Sequence, residues 1–142
     1  MFPKDKFLVL DGGTGREIQK RGLPFKQPEW SALVLRENPE ALIDIHSDFI
    51  AKGAHIITTN TYAIAPFHIT EEAFLQDAPK LIHLACEMAI SAKKKFTNKE
   101  IKVALSVPPL FGPYRPDLFE ENIGKAENFY KFFMDSALPF ID

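Results

Sequence analysis

Asp11 is the residue around which chemistry could gather. It follows the four-residue apolar run Phe7–Leu10, long enough for a buried strand and too short for a helix. Gly12 and Gly13 come next, letting the chain turn sharply and leaving open space beside the carboxylate. A charged group at the C-terminal end of a parallel strand lies where α/β proteins keep their sites. The same place suits a plain turn aspartate, and the pattern alone leaves both readings open. A second polar cluster, Thr59-Asn60-Thr61-Tyr62, follows the apolar stretch Ala54–Thr58 about one βα unit later. Structural turns more often use Gly, Pro or Asp, so four hydrogen-bonding side chains in a row read as a ligand-facing loop. It should open on the same face as Asp11. Ser106-Val107-Pro108-Pro109 ends a third apolar stretch, Ile101–Leu105, and brings Ser106 to that rim.

The elements that must position these residues are legible as helices between strands. Thr14 and Glu17 have the spacing of a capping box, and Gly22 closes the short helix they would start. Leu23–Trp30 reads as a loop, with the sole tryptophan, Trp30, as a packing anchor. Ser31–Glu37 reads as a short helix. Asn38-Pro39-Glu40 is a helix start, with Asn38 as N-cap and proline at the first helical position. Leu42, Ile45 and Phe49 then form one buried stripe, and Gly53 ends the helix. His46 and Asp48 on that helix point to different sides, so they read as no metal pair and His46 as solvated or satisfied. Thr70–Phe74 and Asp77–Lys95 read as two helices, the second burying Leu81, Leu84, Ala85, Met88, Ala89 and Ala92, with Cys86 at the edge of that face. Leu110–Phe119 reads as a long aromatic loop. Glu127–Ala137 reads as a helix, and Leu138–Asp142 as the approach to a fourth strand. A β-loop-α unit thus recurs every ~40–50 residues, the spacing of a (β/α)8 barrel of about 250 to more than 400 residues.

The totals narrow the function. A net charge of −2 over 142 residues gives no field to hold nucleic acid or an anionic membrane surface. No apolar run approaches the roughly 20 residues of a membrane span, and MFPKDKF is not a signal peptide. One cysteine excludes a disulfide framework within the chain and fits a reducing cytoplasm. Cys86 and the scattered His46, His55, His68 and His83 offer no zinc-ligand spacing, so this chain alone is expected to bind no metal.

Taken together, LDGGTGREIQKRG, then Trp30-Ser31, then HSDFIAKGAHIITTNTY resembles the homocysteine S-methyltransferase family in order and spacing from Leu8 to Tyr62. His55 departs from it, standing where many members have an acid. Ser-Val-Pro-Pro and Tyr-Arg-Pro-Asp extend the likeness to residue 117. The resemblance implies a TIM barrel of which residues 1–142 are the N-terminal half: three complete βα units and the start of a fourth strand. It implies methyl transfer from a charged donor to the thiol of homocysteine, giving methionine, with a zinc ion held by cysteine thiolates. Those cysteines, and a substrate-binding acid after the fourth strand, are expected beyond Asp142, and Cys86 matches none of them. On this likeness Asp11 would take the amino group of homocysteine, Gly12 and Gly13 would allow close backbone approach, and Thr59 and Asn60 would complete the lining. Trp30, Ser106, Tyr114 and Arg115 are further candidates for substrate or donor contact. The chain alone is then expected to be inactive and to need its missing half or a second copy. The alternative is a non-catalytic fragment or assembly partner. A third reading is that Asp-x-Gly-Thr-Gly resembles the phosphate loop of actin-like sugar kinases, where it joins the strands of a hairpin.

Overall fold

The computed structural model describes residues 7–112 and 115–142. Two short strands, β1 (Ile56–Thr58) and β2 (Lys102–Ala104), pair in parallel, with Ile57 opposite Val103. Seven helices surround them among the described residues: α1 (Thr14–Lys20), α2 (Ala32–Glu37), α3 (Ala41–Ala51), α4 (Pro66–Ile69), α5 (Glu71–Lys94), α6 (Pro116–Glu121) and α7 (Ile123–Ala137). Leu10 forms a parallel bridge to Ile56, so the segment ending at Asp11 lies on the free edge of β1. On the outer edge of β2, the Asp142 N–H donates to the Val103 carbonyl at 3.0 Å. The spatial order is therefore the chain order: first segment, β1, β2, chain end.

The helices hold this sheet through one long partner. α5 packs on α3 and α7, its buried face running Phe74, Ala78, Leu81, Ile82, Ala85, Ala89 and Ala92. Small side chains on that face let α3 approach with Leu42, Ile45 and Ile50, all fully buried. A second cluster of Ile50, Ile57, Ala89, Ile101 and Val103 joins α3 and α5 to the strands. Among the described residues no helix is long and apolar enough to cross a membrane.

Several sequence expectations change. Phe7–Leu10 is not a regular strand: among the described residues its one bridge is from Leu10 to Ile56, and Phe7 is 97% exposed. The His55 ring also takes the Val9 N–H on its Nδ1 at 3.2 Å, replacing a ladder bond. Thr14 is the first residue of α1 and not its cap; Gly13 holds that position without a side-chain bond. Glu40, not Asn38, is the N-cap of α3, and the Asn38 carbonyl, not its side chain, accepts the Ala41 N–H. The two helices expected from 70 to 95 are one: the buried face runs from Phe74 to Ala78 across the expected gap at Leu75 and Gln76, and Pro79 does not end the helix. The expected loop before Phe119 is interrupted by α6, which starts at Pro116, the proline supplying a helical φ. Leu138–Phe140 is a 3-10 turn, so only the last residues reach the sheet. Gly22 and Gly53 do follow helix ends with positive φ, 66° and 109°.

His46 is neither solvated nor satisfied. It is fully buried on α3, and neither ring nitrogen has a partner among the described residues. Burial pushes its pKa down from 6.5 to about 4. The unfolded chain therefore takes up a proton that the folded one refuses, so this contribution to stability is present above 6.5 and lost as pH falls toward 4. By about pH 4.5 the loss amounts to about 2–3 kcal/mol. The variant His46→Leu should lose that much less stability than wild type between neutral and acid pH in urea unfolding. Parallel pH slopes for the two proteins would contradict it.

Candidate functional site

Asp11 ends the first segment by spending its carboxylate on β1. Oδ2 accepts the Thr58 backbone N–H at 2.7 Å, and the Thr58 hydroxyl donates to Oδ1 and Oδ2 at 3.0 and 3.1 Å. The group is half-buried. Desolvation raises its pKa above the ordinary carboxylate value, and the Thr58 bonds oppose that rise.

The loop after β1 is tied to the loop after β2. The Thr61 hydroxyl donates to the Ser106 carbonyl at 2.6 Å, and the Ser106 N–H donates to Thr59 Oγ1 at 3.2 Å. A hydroxyl has one proton, so Thr59 is the donor in the 2.8 Å Thr59–Thr61 pair. Asn60 is buried and donates through Nδ2 to the Ser31 carbonyl at 2.7 Å, fixing the start of α2 against the same rim.

A cavity of about 380 Å³ opens where these loops meet. Of the residues singled out in the sequence, Gly12, Trp30, Thr59, Asn60 and Ser106 line it together. Asp11 adjoins it through Thr58, which is in the wall, and Gly13 begins the helix whose Thr14 and Gly15 are also in the wall. Gly12 has a packing reason to be glycine: a Cβ there would stand 2.9 Å from Phe49 Cε1. Trp30 has a φ of 48°, a costly conformation for a bulky residue, and its ring meets Phe25 edge-on at 5.4 Å. Phe25, Trp30 and Tyr62 make the wall aromatic.

Two expected contacts do not join this cavity. Arg115 is exposed, paired with Asp117 at 2.7 Å, and lines a separate cavity with Phe111 and Phe119. Its guanidinium pKa is raised by that pairing. Tyr114 lies outside the described residues. Sequence reasoning missed Thr58, read as the end of a strand, and His68, whose ring lines the cavity from α4. Period-two alternation could have flagged Thr58, since it shares a strand face with Ile56; no pattern marked His68.

Parallel segments in sequential order, with a cleft of aromatic and hydroxyl side chains beyond their C-terminal ends, define an α/β arrangement. The sequence model described as homocysteine S-methyltransferase matches residues 8–138, and the chain belongs to that family. It is 31% identical to the homocysteine S-methyltransferase of Escherichia coli K12 over 82% of this chain and 39% of that one. It is 30% identical to homocysteine S-methyltransferase YbgG of Bacillus subtilis, over 78% of this chain and 38% of that one. The crystal structure of the homocysteine methyltransferase MmuM from E. coli, in its metallated form, superposes with a TM-score of 0.67 at 30% identity, covering 81% of this chain and 41% of that one. The chain thus spans about two-fifths of the length of these relatives.

The rim network is testable. Thr61→Val keeps the shape but strands the Ser106 carbonyl, and should destabilise the protein by about 1–3 kcal/mol in chemical denaturation. Thr61→Ser, which keeps the hydroxyl, should recover most of it. Equal stability of the valine variant and wild type would contradict the network.

Proposed function

We propose that this chain supplies the homocysteine-binding half of an S-methyltransferase that moves a methyl group from a charged donor to homocysteine, giving methionine. One observation carries the reading: the motifs that mark the family, around Gly12, Trp30 and Thr58–Asn60, converge on one cavity. Three parallel segments in chain order support the first half of a TIM barrel as the parent architecture. The lone buried thiol fits a reducing, cytoplasmic setting.

In this reading Asp11 receives the substrate ammonium. A carboxylate has about four acceptor sites, and Thr58 leaves part of that capacity unused. An arriving ammonium adds a charge-assisted bond and favours the ionised form that burial opposes. Gly12 offers backbone beside it, while Thr59 and Asn60, spent on the rim, act by shaping the cleft. The aromatic wall of Phe25, Trp30 and Tyr62 suits a donor carrying positive charge, through attraction to the ring faces.

Zinc would supply the thiolate form of the substrate in the family, and the metallated neighbour supports a metal there. The described residues of this chain do not fit that role. They contain no group of three His, Cys, Asp or Glu that could hold a metal. Cys86 is fully buried on α5, with its thiol pushed up to about 11 by burial and by Glu87. The chain's own part is to bind and orient substrate. The non-catalytic alternative, an assembly partner, draws on the exposed edge at Phe7, Val9 and Leu10. The sugar-kinase reading has no such support, because Leu10 pairs in parallel with Ile56 and the glycine loop opens a helix, not a hairpin.

Asp11→Asn keeps an acceptor for Thr58 but removes the charge. It should weaken L-homocysteine binding about tenfold or more in equilibrium dialysis, with little change in Tm. Unchanged affinity would remove Asp11 from the substrate site. The open edges predict that the 142-residue chain alone aggregates or runs as a dimer or larger on size exclusion. A soluble monomer with a sharp cooperative transition would contradict the half-barrel.

A further inference from the structure

His68 holds a hydrogen-bonding capacity that neither the rim network nor the Asp11 site uses. Its Nδ1 lies 3.0 Å from the Pro28 carbonyl oxygen. A carbonyl only accepts, so Nδ1 carries the proton in this bond. Burial lowers the pKa of the ring, the Pro28 bond partly offsetting it, so at neutral pH the ring has one proton and Nε2 is a bare lone pair. No described residue bonds Nε2. The ring is anchored at Nδ1 by the Pro28 carbonyl and packs against Phe67, whose ring centroid is 4.0 Å away. It lines the same cavity as Trp30, Tyr62 and Thr58.

We propose that His68 is a ligand-binding residue of this cleft, its Nε2 accepting a hydrogen bond from the α-ammonium of an amino-acid ligand. The proposal rests on the homocysteine reading of the cavity. Asp11 adjoins the cavity through Thr58, whereas His68 enters from α4, so the two acceptors come to it from different elements. The ammonium belongs either to the thiol substrate or to an amino-acid methyl donor. A permethylated donor has no N–H to offer and makes no use of His68.

Trp30, the only tryptophan, shares the cavity wall and reports on its occupancy. The test is a fluorescence titration of the soluble, folded size-exclusion fraction of the 142-residue chain with L-homocysteine, S-methyl-L-methionine and glycine betaine in turn. His68→Asn keeps a donor for Pro28 and deletes the Nε2 position; His68→Gln fills the Nε2 position and gives up Pro28. His68→Asn should weaken one of the two amino acids about tenfold or more, His68→Gln should weaken it less, and neither should affect betaine. The amino acid affected identifies the source of the ammonium. A normal His68→Asn beside an impaired His68→Gln makes the ring a brace for the loop and overturns the proposal. So does an unchanged affinity of both amino acids for both variants. Independently of any ligand, a long-range nitrogen–proton spectrum showing the Nε2–H tautomer overturns it. A wild-type chain that responds to none of the three ligands overturns the homocysteine reading itself, and is told apart from failure of His68 alone by that absence of wild-type binding.

Discussion

The carboxylate of Asp11 closing on Thr58 is the interaction on which the site depends. In a parallel sheet, alternate residues present their backbone groups to alternate edges. On the first edge of β1, Ile56 uses both its groups, accepting from Asp11 and donating to Val9. The next N–H on that edge is Thr58's, and the chain has turned away at Gly12 before it can supply a carbonyl. The Asp11 side chain takes the place of that carbonyl. An unmet buried N–H would cost about 1–3 kcal/mol, so the turn into the glycine loop is stable only with an acceptor at this position. The same residue thereby ends the ladder and stands beside the cleft. The opposite edge repeats the device: Asp142 accepts the Val103 N–H at 2.8 Å and pairs with Lys93 at 2.6 Å.

The second constraint is the threonine network of the rim. Thr59, Thr61 and Ser106 bond one another across two loops, and Asn60 reaches Ser31. These side chains are committed before any ligand arrives. Their consequence for function is a preformed cleft, which lowers the entropy a ligand must overcome on ordering its site. In the proposed site, the aromatic wall, the Gly12 backbone, spare capacity on Asp11 and the His68 ring are left for contact.

Much of this was legible in the sequence because local rules and tertiary structure agree there. Gly22 and Gly53 end helices, Leu42 and Ile45 of the expected stripe are buried with Phe49 half-buried beside them, and the polar loop after Thr58 stands at the strand mouth. The misreadings fall where tertiary packing overrides a local signal. A break was expected at Leu75 and Gln76, yet α5 runs through both. Thr14 and Glu17 had capping spacing, yet Gly13 occupies the cap. Phe7–Leu10 had the composition of a buried strand, which requires covering on both sides that the described residues do not provide. His46 and His68 were illegible for another reason: a histidine's role is set by what its two nitrogens meet in the fold, which is no partner among the described residues for His46 and the distant Pro28 carbonyl for His68 Nδ1.

The central claim is that this chain carries a working homocysteine half-site. The most direct measurement is methionine formation by a hybrid in which residues 8–138 replace the matching segment of the E. coli homocysteine S-methyltransferase. The hybrid should form methionine from homocysteine and lose most of that activity on Asp11→Asn, which keeps the acceptor for Thr58. A folded, metal-loaded hybrid that forms none, or one indifferent to Asp11, would contradict the claim.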